Sequence, residues 1–206
     1  VERKKVYNGD FCDMKKVCVV TGGGSGIGFA AAKEAAKKGY YVMIVGRNEK
    51  KLAGAVEELR KDGCEAEAYS CDVSDREHCF ALARHAAECG AVKAVLHIAG
   101  MSPHMGDAEK IMQANASSTS AYMTPSFIMP KRVYPLACTD RKLFMDKMMK
   151  KVKMFPRKTR EGVAYSMSKH FTIWFAKQDA ARFARKNARV LSITPGNFET
   201  PLGNLE

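Results

Sequence analysis

Tyr165 and Lys169 are the two side chains whose types and spacing best suit proton chemistry. They stand at positions i and i+4, so on a helix they share one face and lie one turn apart. A phenol can act as a general acid or base when a nearby ammonium favours its ionised form. Because many sequences contain this spacing by chance, its meaning depends on the elements around it.

A glycine-rich stretch begins at Thr21 and continues from Gly22 to Gly28. It follows an apolar run at 17–20 and precedes an Ala-rich run at 29–38, so it connects a predicted strand to a predicted helix. Glycine allows a tight turn and a close approach of ligand to backbone, and a helix N-terminus attracts anions. The pattern predicts a dinucleotide-binding turn, and the alternative is a glycine-rich turn with no ligand.

Further strands and helices alternate along the chain. The apolar patterns predict strands at 17–20, 41–45, 65–70, 92–98 and 188–193, and helices at 29–38, 49–61, 75–89, 107–116 and 140–152, with Ser74 as N-cap of the helix at 75–89. This order predicts an α/β fold, a Rossmann-like doubly wound parallel sheet with helices on both faces, in a single domain over 1–206.

The two motifs together resemble the short-chain dehydrogenase/reductase family. The residues that carry the resemblance are Thr21, Gly22, Gly26, Ile27 and Gly28 in the turn, then Tyr165 and Lys169. It covers about 15–202 and implies an NAD(P)(H)-dependent oxidoreductase that interconverts a secondary alcohol and a ketone. It also implies four catalytic residues: Asn115 for a relay water, Ser118 for the substrate oxygen, Tyr165 as proton donor and Lys169 beside it.

The resemblance implies a cofactor site as well. Its residues would be Gly22, Gly24, Ser25, Gly26, Ile27, Gly28, Arg47, Asp72, Val73, Ala99, Gly100, Tyr165, Lys169, Pro195, Gly196 and Thr200. Gly46 fills the position where NAD enzymes carry an acidic residue, and Arg47 can bind a 2′-phosphate, so NADP(H) is favoured over NAD(H). The alternatives are a solvated loop charge for Arg47 and a turn residue for Asp72.

Two places depart from the family pattern. His97 and Ile98 replace the asparagines expected before Ala99, and we interpret His97 as a structural residue. Only two residues separate Asn115 from Ser118, where the family needs a whole strand, since a parallel crossover takes a dozen residues or more. We hypothesise that a segment is absent at Ala116.

The stretch at 125–162 is longer than the corresponding family segment. Its predicted helix has an apolar face formed by Leu143, Phe144, Met148 and Val152. We interpret it as an inserted helical flap over the substrate cleft, and the alternatives are an oligomer contact or a solvated helix. With the nearby methionines it indicates a bulky apolar substrate such as a steroid or bile acid, unless those methionines only fill core space.

Composition excludes several other classes of protein. The chain has 206 residues, 46% of them apolar, and no apolar run long enough to span a membrane. The seven cysteines lack a Cys-x-x-Cys spacing, which predicts reduced thiols, no metal site and a cytoplasmic location. The net charge of +12 comes with no nucleic-acid-binding motif, so no nucleic acid partner is expected.

The partners expected are therefore a small alcohol or ketone and further copies of the chain. The family resemblance implies that the apolar helix at 171–184 packs against a partner subunit in a dimer or tetramer. An alternative of another class is a non-catalytic dinucleotide-binding sensor or scaffold.

Overall fold

A parallel sheet of four strands forms the centre of the computed structural model, which describes residues 14–117 and 141–193. The strands are β1 (Lys16–Thr21), β2 (Tyr41–Gly46), β3 (Ala66–Ser70) and β4 (Ala91–His97), hydrogen bonded in the order β3-β2-β1-β4. Thr21 pairs with Val45 on one side and with His97 on the other, so three strands end at the same level. This common carboxyl edge is where ligands bind in doubly wound sheets.

The first three helices cover both faces of the sheet. They are α1 (Gly26–Lys37), α2 (Glu49–Lys61) and α3 (Arg76–Cys89). The central strands β1 and β2 are buried on both sides, as expected for parallel strands between helical layers. Cys18, Val20, Val42 and Ile44 pack with residues of α1 and α2, whereas their sequence neighbours pack toward α3. The predicted Rossmann-like arrangement is confirmed.

The second half of the described chain is helical. It contains α4 (Ala108–Ser117), α5 (Arg141–Lys153) and α6 (Arg160–Ala184). Their contact forms a separate core cluster that includes Ile111 and Met112 from α4, Met148 and Val152 from α5, and Met167 and Phe171 from α6. Apolar side chains at helical spacing therefore bind these helices to one another. Leu143, which was predicted on the same face of α5, is 46% exposed.

Two local expectations are wrong. The N-cap of α3 is Asp75 rather than Ser74, because the Asp75 carboxylate accepts hydrogen bonds from the N–H groups of Glu77 (2.8 Å) and His78 (3.1 Å). Residues 188–193 are irregular rather than a strand. A strand needs a hydrogen-bonded neighbour. In the described part of the sheet β4 is an edge strand, and residues 188–193 do not pair with it. Val95 on β4 is accordingly 60% exposed.

The helix α4 runs through the point where the sequence predicts an absent segment. Ala116 and Ser117 are successive residues of α4. Within 14–117 and 141–193 no fifth strand pairs with β4, and the absence of a family segment at Ala116 stays a prediction.

None of the five described cysteines is in a disulfide, and the prediction of reduced thiols stays a prediction. Burial raises the pKa of Cys18 and of Cys71 to about 11, so both thiols are protonated at neutral pH. Among the described helices, none combines the length and the apolar character that a membrane span requires.

The packing of α2 on the sheet leads to a stability prediction. Leu59 is 1% exposed inside the core formed with α1 and β2. Leu59→Ala should lower the free energy of unfolding by about 2–5 kcal/mol, since it removes buried methyl groups and leaves a cavity. Leu191→Ala is the matched control, because Leu191 is 76% exposed, and it should change the free energy by no more than about 0.5 kcal/mol. Denaturant unfolding measures both, and equal effects would contradict this description of the core.

Candidate active site

The glycine turn connects β1 to α1 at the carboxyl edge of the sheet. Gly22 and Gly26 have φ values of 71° and 55°, in the left-handed region that favours glycine. The Gly22 N–H donates to the carbonyl of Val45 (2.8 Å), which joins the turn to the end of β2. A residue with a side chain at either position would strain the backbone, so the shape of the turn depends on glycine.

The turn is too tight for side chains at two of its glycines. A Cβ on Gly28 would lie 2.1 Å from the carbonyl oxygen of Gly22. A Cβ on Gly22 would lie 2.9 Å from the backbone nitrogen of Ala99, in the loop after β4. Only glycine therefore allows the backbone at Gly22 and Gly28 to lie so close to the neighbouring backbone.

The N-terminus of α1 suits an anionic group. Its N-cap, Ser25, makes no side-chain hydrogen bond to the first turn, and that turn contains no acidic residue. The first N–H groups of a helix have no intrahelical partner and lie at the positive end of its dipole. The residues present therefore fit the pyrophosphate of a dinucleotide, which Gly22, Gly24, Ser25, Gly26, Ile27 and Gly28 would hold.

Arg47 and Asp72 follow the ends of β2 and β3 at the same edge. The Cys71 N–H donates to the carbonyl of Gly46 (2.8 Å), which brings these two strand ends together. Arg47 is exposed, and Asp72 and Val73 are half-buried. Burial alone would raise the pKa of Asp72, but the hydrogen bonds from Ser74 and the charge of Arg47 outweigh it, so the pKa lies below its usual value. Asp72 is therefore an ionised acceptor near an exposed guanidinium.

Thr21 connects the glycine turn to the loop after β4, a role that sequence reasoning missed. Its hydroxyl oxygen accepts from the N–H groups of Ile98 (3.1 Å) and Ala99 (3.3 Å) and lies 2.8 Å from Nδ1 of His97. The tautomer of His97 decides which of Oγ1 and Nδ1 donates in this contact. The signal was present, since the threonine directly precedes the first glycine.

Asn115 lies in α4 and is completely buried. Its Oδ1 accepts from the N–H of Met101 (2.6 Å), and its Nδ2 donates to the carbonyl of the same residue (2.8 Å). The amide therefore binds the loop of Ala99 and Gly100 to α4. This pairing of a side-chain amide with one backbone unit could not be predicted from the sequence.

Tyr165 and Lys169 share one face of α6, as the spacing predicts. Lys169 is 1% exposed, and its Nζ lies 5.1 Å from the centroid of the Tyr165 ring. This is within the range of a cation–π contact. The Ser168 hydroxyl donates to the carbonyl of Tyr165 (2.7 Å), and α6 packs on α4. The ammonium is thus buried beneath the phenol ring.

The loop at 98–101 and the helix α4 connect the glycine turn to Tyr165 and Lys169. Thr21 binds the loop at one end, and Asn115 binds it at the other. Four predicted site residues, Ser118, Pro195, Gly196 and Thr200, lie outside the described residues.

Comparisons with known proteins agree with this fold. A family model described as enoyl-(acyl carrier protein) reductase matches residues 22–205. The chain is 30% identical over 193 residues to ketoacyl reductase 1 of the granaticin polyketide synthase from Streptomyces violaceoruber, covering 91% of this chain and 70% of that protein. It is 28% identical over 195 residues to 3beta-hydroxysteroid dehydrogenase of Mediterraneibacter gnavus, covering 91% and 68%.

A solved structure has the same fold. A variant of actinorhodin polyketide ketoreductase with NADPH superposes with a TM-score of 0.67 at 25% identity, covering 92% of this chain and 73% of that one. The chain belongs to the short-chain dehydrogenase/reductase family. It is an oxidoreductase of the class that uses a nicotinamide cofactor.

The glycine turn leads to a binding prediction. Gly28→Ala should weaken NADPH binding at least ~10-fold, or about 1.4 kcal/mol, because the new Cβ displaces the backbone of the turn. Gly54→Ala is the matched control, since a Cβ there meets no heavy atom within 4 Å on α2. It should leave binding unchanged and stabilise the protein by about 0.5–1 kcal/mol. Calorimetric titration with NADPH tests both, and unchanged binding to Gly28→Ala would move the cofactor site elsewhere.

Proposed function

We propose that this protein interconverts a secondary alcohol and a ketone with NADP(H), using Tyr165 as its acid and base. The observation that carries the proposal is the buried Lys169 ammonium 5.1 Å from the Tyr165 ring, on a helix connected to the glycine turn. A buried cation is costly unless it is compensated, so its place beneath a phenol supports a functional pairing.

Each residue has a separate part in the proposed reduction. A bound nicotinamide would supply hydride to the carbonyl carbon, and would accept it in the reverse direction. Tyr165 donates its phenolic proton to the carbonyl oxygen, which completes the alcohol. Lys169 stabilises the phenolate that remains, and Ser118 orients the substrate oxygen by a hydrogen bond.

Asn115 enters the proposal mainly as a positioning residue. Its amide already binds both backbone groups of Met101, so it holds the loop beside the turn. One lone pair on Oδ1 and one proton on Nδ2 remain. A relay water that supplies protons toward Lys169 would have to use those, or backbone groups of α4.

The preference for NADP(H) is part of the proposal. Arg47 is exposed directly after β2, where its guanidinium can bind a 2′-phosphate that an acidic residue would repel. Asp72 is the nearby carboxylate available for the adenine amine. The solved relative with NADPH supports the same choice.

The substrate class proposed is a bulky apolar ketone or alcohol, steroid-like in size. The support is the relation to a 3beta-hydroxysteroid dehydrogenase and the apolar contact of Met148 and Val152 with α6, near Tyr165. We propose that the segment at 125–162, which includes α5, covers the substrate cleft.

We also propose a homo-oligomer in which the later part of α6 contacts a second copy, with Trp174 and Phe175 only partly buried there.

The function is tested by NADPH oxidation with a panel of ketosteroids, β-ketoacyl esters and simple ketones. Tyr165→Phe should reduce kcat by roughly 10²–10⁴-fold, since it removes the proton donor, while NADPH binding is kept. The matched control is Tyr40→Phe, because Tyr40 precedes β2 at the opposite edge of the sheet, and it should keep full activity. Retained turnover in Tyr165→Phe would remove this residue from the mechanism. Binding of NADPH without turnover of any substrate by the unmodified protein would favour the non-catalytic sensor or scaffold.

The cofactor preference is tested separately. Arg47→Ala should weaken NADPH binding about 10–100-fold, the equivalent of one charge-assisted hydrogen bond to phosphate, and leave NADH binding nearly unchanged. Arg185→Ala, an exposed arginine at the end of α6, is the control and should alter neither. Equal losses for NADPH and NADH in Arg47→Ala would contradict a role in phosphate recognition.

A further inference from the structure

Glu67, His85 and Cys89 form a compact cluster near the amino edge of the sheet, whereas the glycine turn lies at the carboxyl edge. Glu67 belongs to β3, and His85 and Cys89 stand one turn apart on α3. Glu67 Oε1 lies 2.9 Å from His85 Nε2 and 3.4 Å from Cys89 Sγ, and the sulfur lies 3.7 Å from the same nitrogen. Three atoms that commonly bind metals thus meet in one small triangle.

The size of the triangle fits one face of a zinc coordination tetrahedron. Zinc binds sulfur at about 2.3 Å and imidazole nitrogen or carboxylate oxygen at about 2.0–2.2 Å. At tetrahedral angles, such bonds place neighbouring ligand atoms about 3.3–3.6 Å apart. The three observed separations, 2.9, 3.4 and 3.7 Å, need shifts of only a few tenths of an ångström.

The arrangement does not suit a nucleophilic cysteine. In a catalytic triad, the carboxylate binds the ring nitrogen that faces away from the nucleophile. Here Glu67 and Cys89 both approach Nε2 of His85. No carboxylate–imidazole–thiol relay is therefore formed, whereas convergence on a single point is what a metal requires.

Neighbouring aromatic residues support the three side chains. The Tyr69 ring stacks on His85, with centroids 5.0 Å apart and 30° between the planes. The Tyr41 phenol lies beside Glu67 and donates a hydrogen bond to its carboxylate. Lys15 is a nearby cation. It forms an ion pair with Glu65, and its Nζ lies over the ring of Tyr41. Metal ligands are usually oriented by an outer shell of this kind.

We propose that Glu67, His85 and Cys89 bind a Zn²⁺ ion, with water in the fourth position. The side chains of Glu67 and His85 are 22% and 39% exposed, so an ion and its water can enter. On binding, Cys89 forms a sulfur–zinc bond and releases its thiol proton to solvent. The ring proton of His85 moves by exchange with solvent from Nε2, where it faces Glu67, to Nδ1, so that the Nε2 lone pair binds the ion. The mixture of nitrogen, sulfur and oxygen favours zinc over magnesium or calcium, which prefer oxygen alone.

The site would connect the end of α3 to the edge strand β3. Glu67 is the second residue of β3, and Cys89 is the last of α3, so both lie toward the amino edge of the sheet. The cofactor turn lies at the carboxyl edge. The ion would therefore stabilise the fold at a distance from the chemistry, and its binding can be measured without any assay of activity.

The experiment uses the whole protein, freed of metal with a chelator and kept reduced. Titration with Zn²⁺ should give one tight equivalent and a higher Tm, since a ligand bound only to the folded state stabilises it. Co²⁺ should give the absorption typical of tetrahedral coordination with a thiolate. Cys89→Ser, His85→Gln and Glu67→Gln should each weaken Zn²⁺ binding at least ~10-fold.

Matched controls lie on the same helix. Cys79→Ser and His78→Gln should leave both the affinity and the Co²⁺ spectrum unchanged, because Cys79 faces the carbonyl of Val73 and His78 is exposed. No stoichiometric binding of Zn²⁺ by the unmodified protein would overturn the proposal. So would Zn²⁺ binding that survives in all three ligand variants, or a Co²⁺ complex without thiolate absorption. The wild-type Co²⁺ spectrum decides the matter even if one variant does not fold.

Discussion

The hydroxyl of Thr21 is the contact on which the rest of the site depends. Thr21 is 3% exposed, and its hydroxyl connects the end of β1 to the end of β4 through three hydrogen-bonding groups, those of His97, Ile98 and Ala99. Each such bond is worth about 0.5–1.5 kcal/mol, and leaving its buried partners unsatisfied would cost more. Because a Cβ on Gly22 would lie only 2.9 Å from the backbone nitrogen of Ala99, the loop held by this hydroxyl passes close to the turn.

From that loop the structure reaches the helical half of the chain. Asn115 holds Met101 by both of its backbone groups, and α4 packs on α6, which carries Tyr165 and Lys169. The residues at the two ends of this connection are far apart in sequence, so tertiary contacts must carry it. Those contacts are the buried hydrogen bonds of Thr21 and Asn115 and the apolar packing of α4 on α6.

The open edge of the sheet has a simple physical origin. Strand β4 pairs on one side with β1, and within the described residues Val92 and Val95 on it are 41% and 60% exposed. Residues 188–193 have a strand-like composition but no described neighbour, so they stay irregular, with Leu191 and Ile193 largely exposed. Strand propensity is weak without a partner. The short interval between Asn115 and Ser118 leaves no room for a pairing strand between those two residues.

The sequence by itself determined strands β1 to β4, the helices and the glycine turn, because hydrophobic period and backbone sterics act over a few residues. It also determined the shared face of Tyr165 and Lys169, since four residues make about one helical turn. Only the tertiary structure decided that Thr21 binds the loop after β4, that Asn115 binds Met101, and that Glu67 meets His85 and Cys89. These contacts join segments far apart in the chain, and their geometry depends on strand register and helix packing, which no local pattern contains.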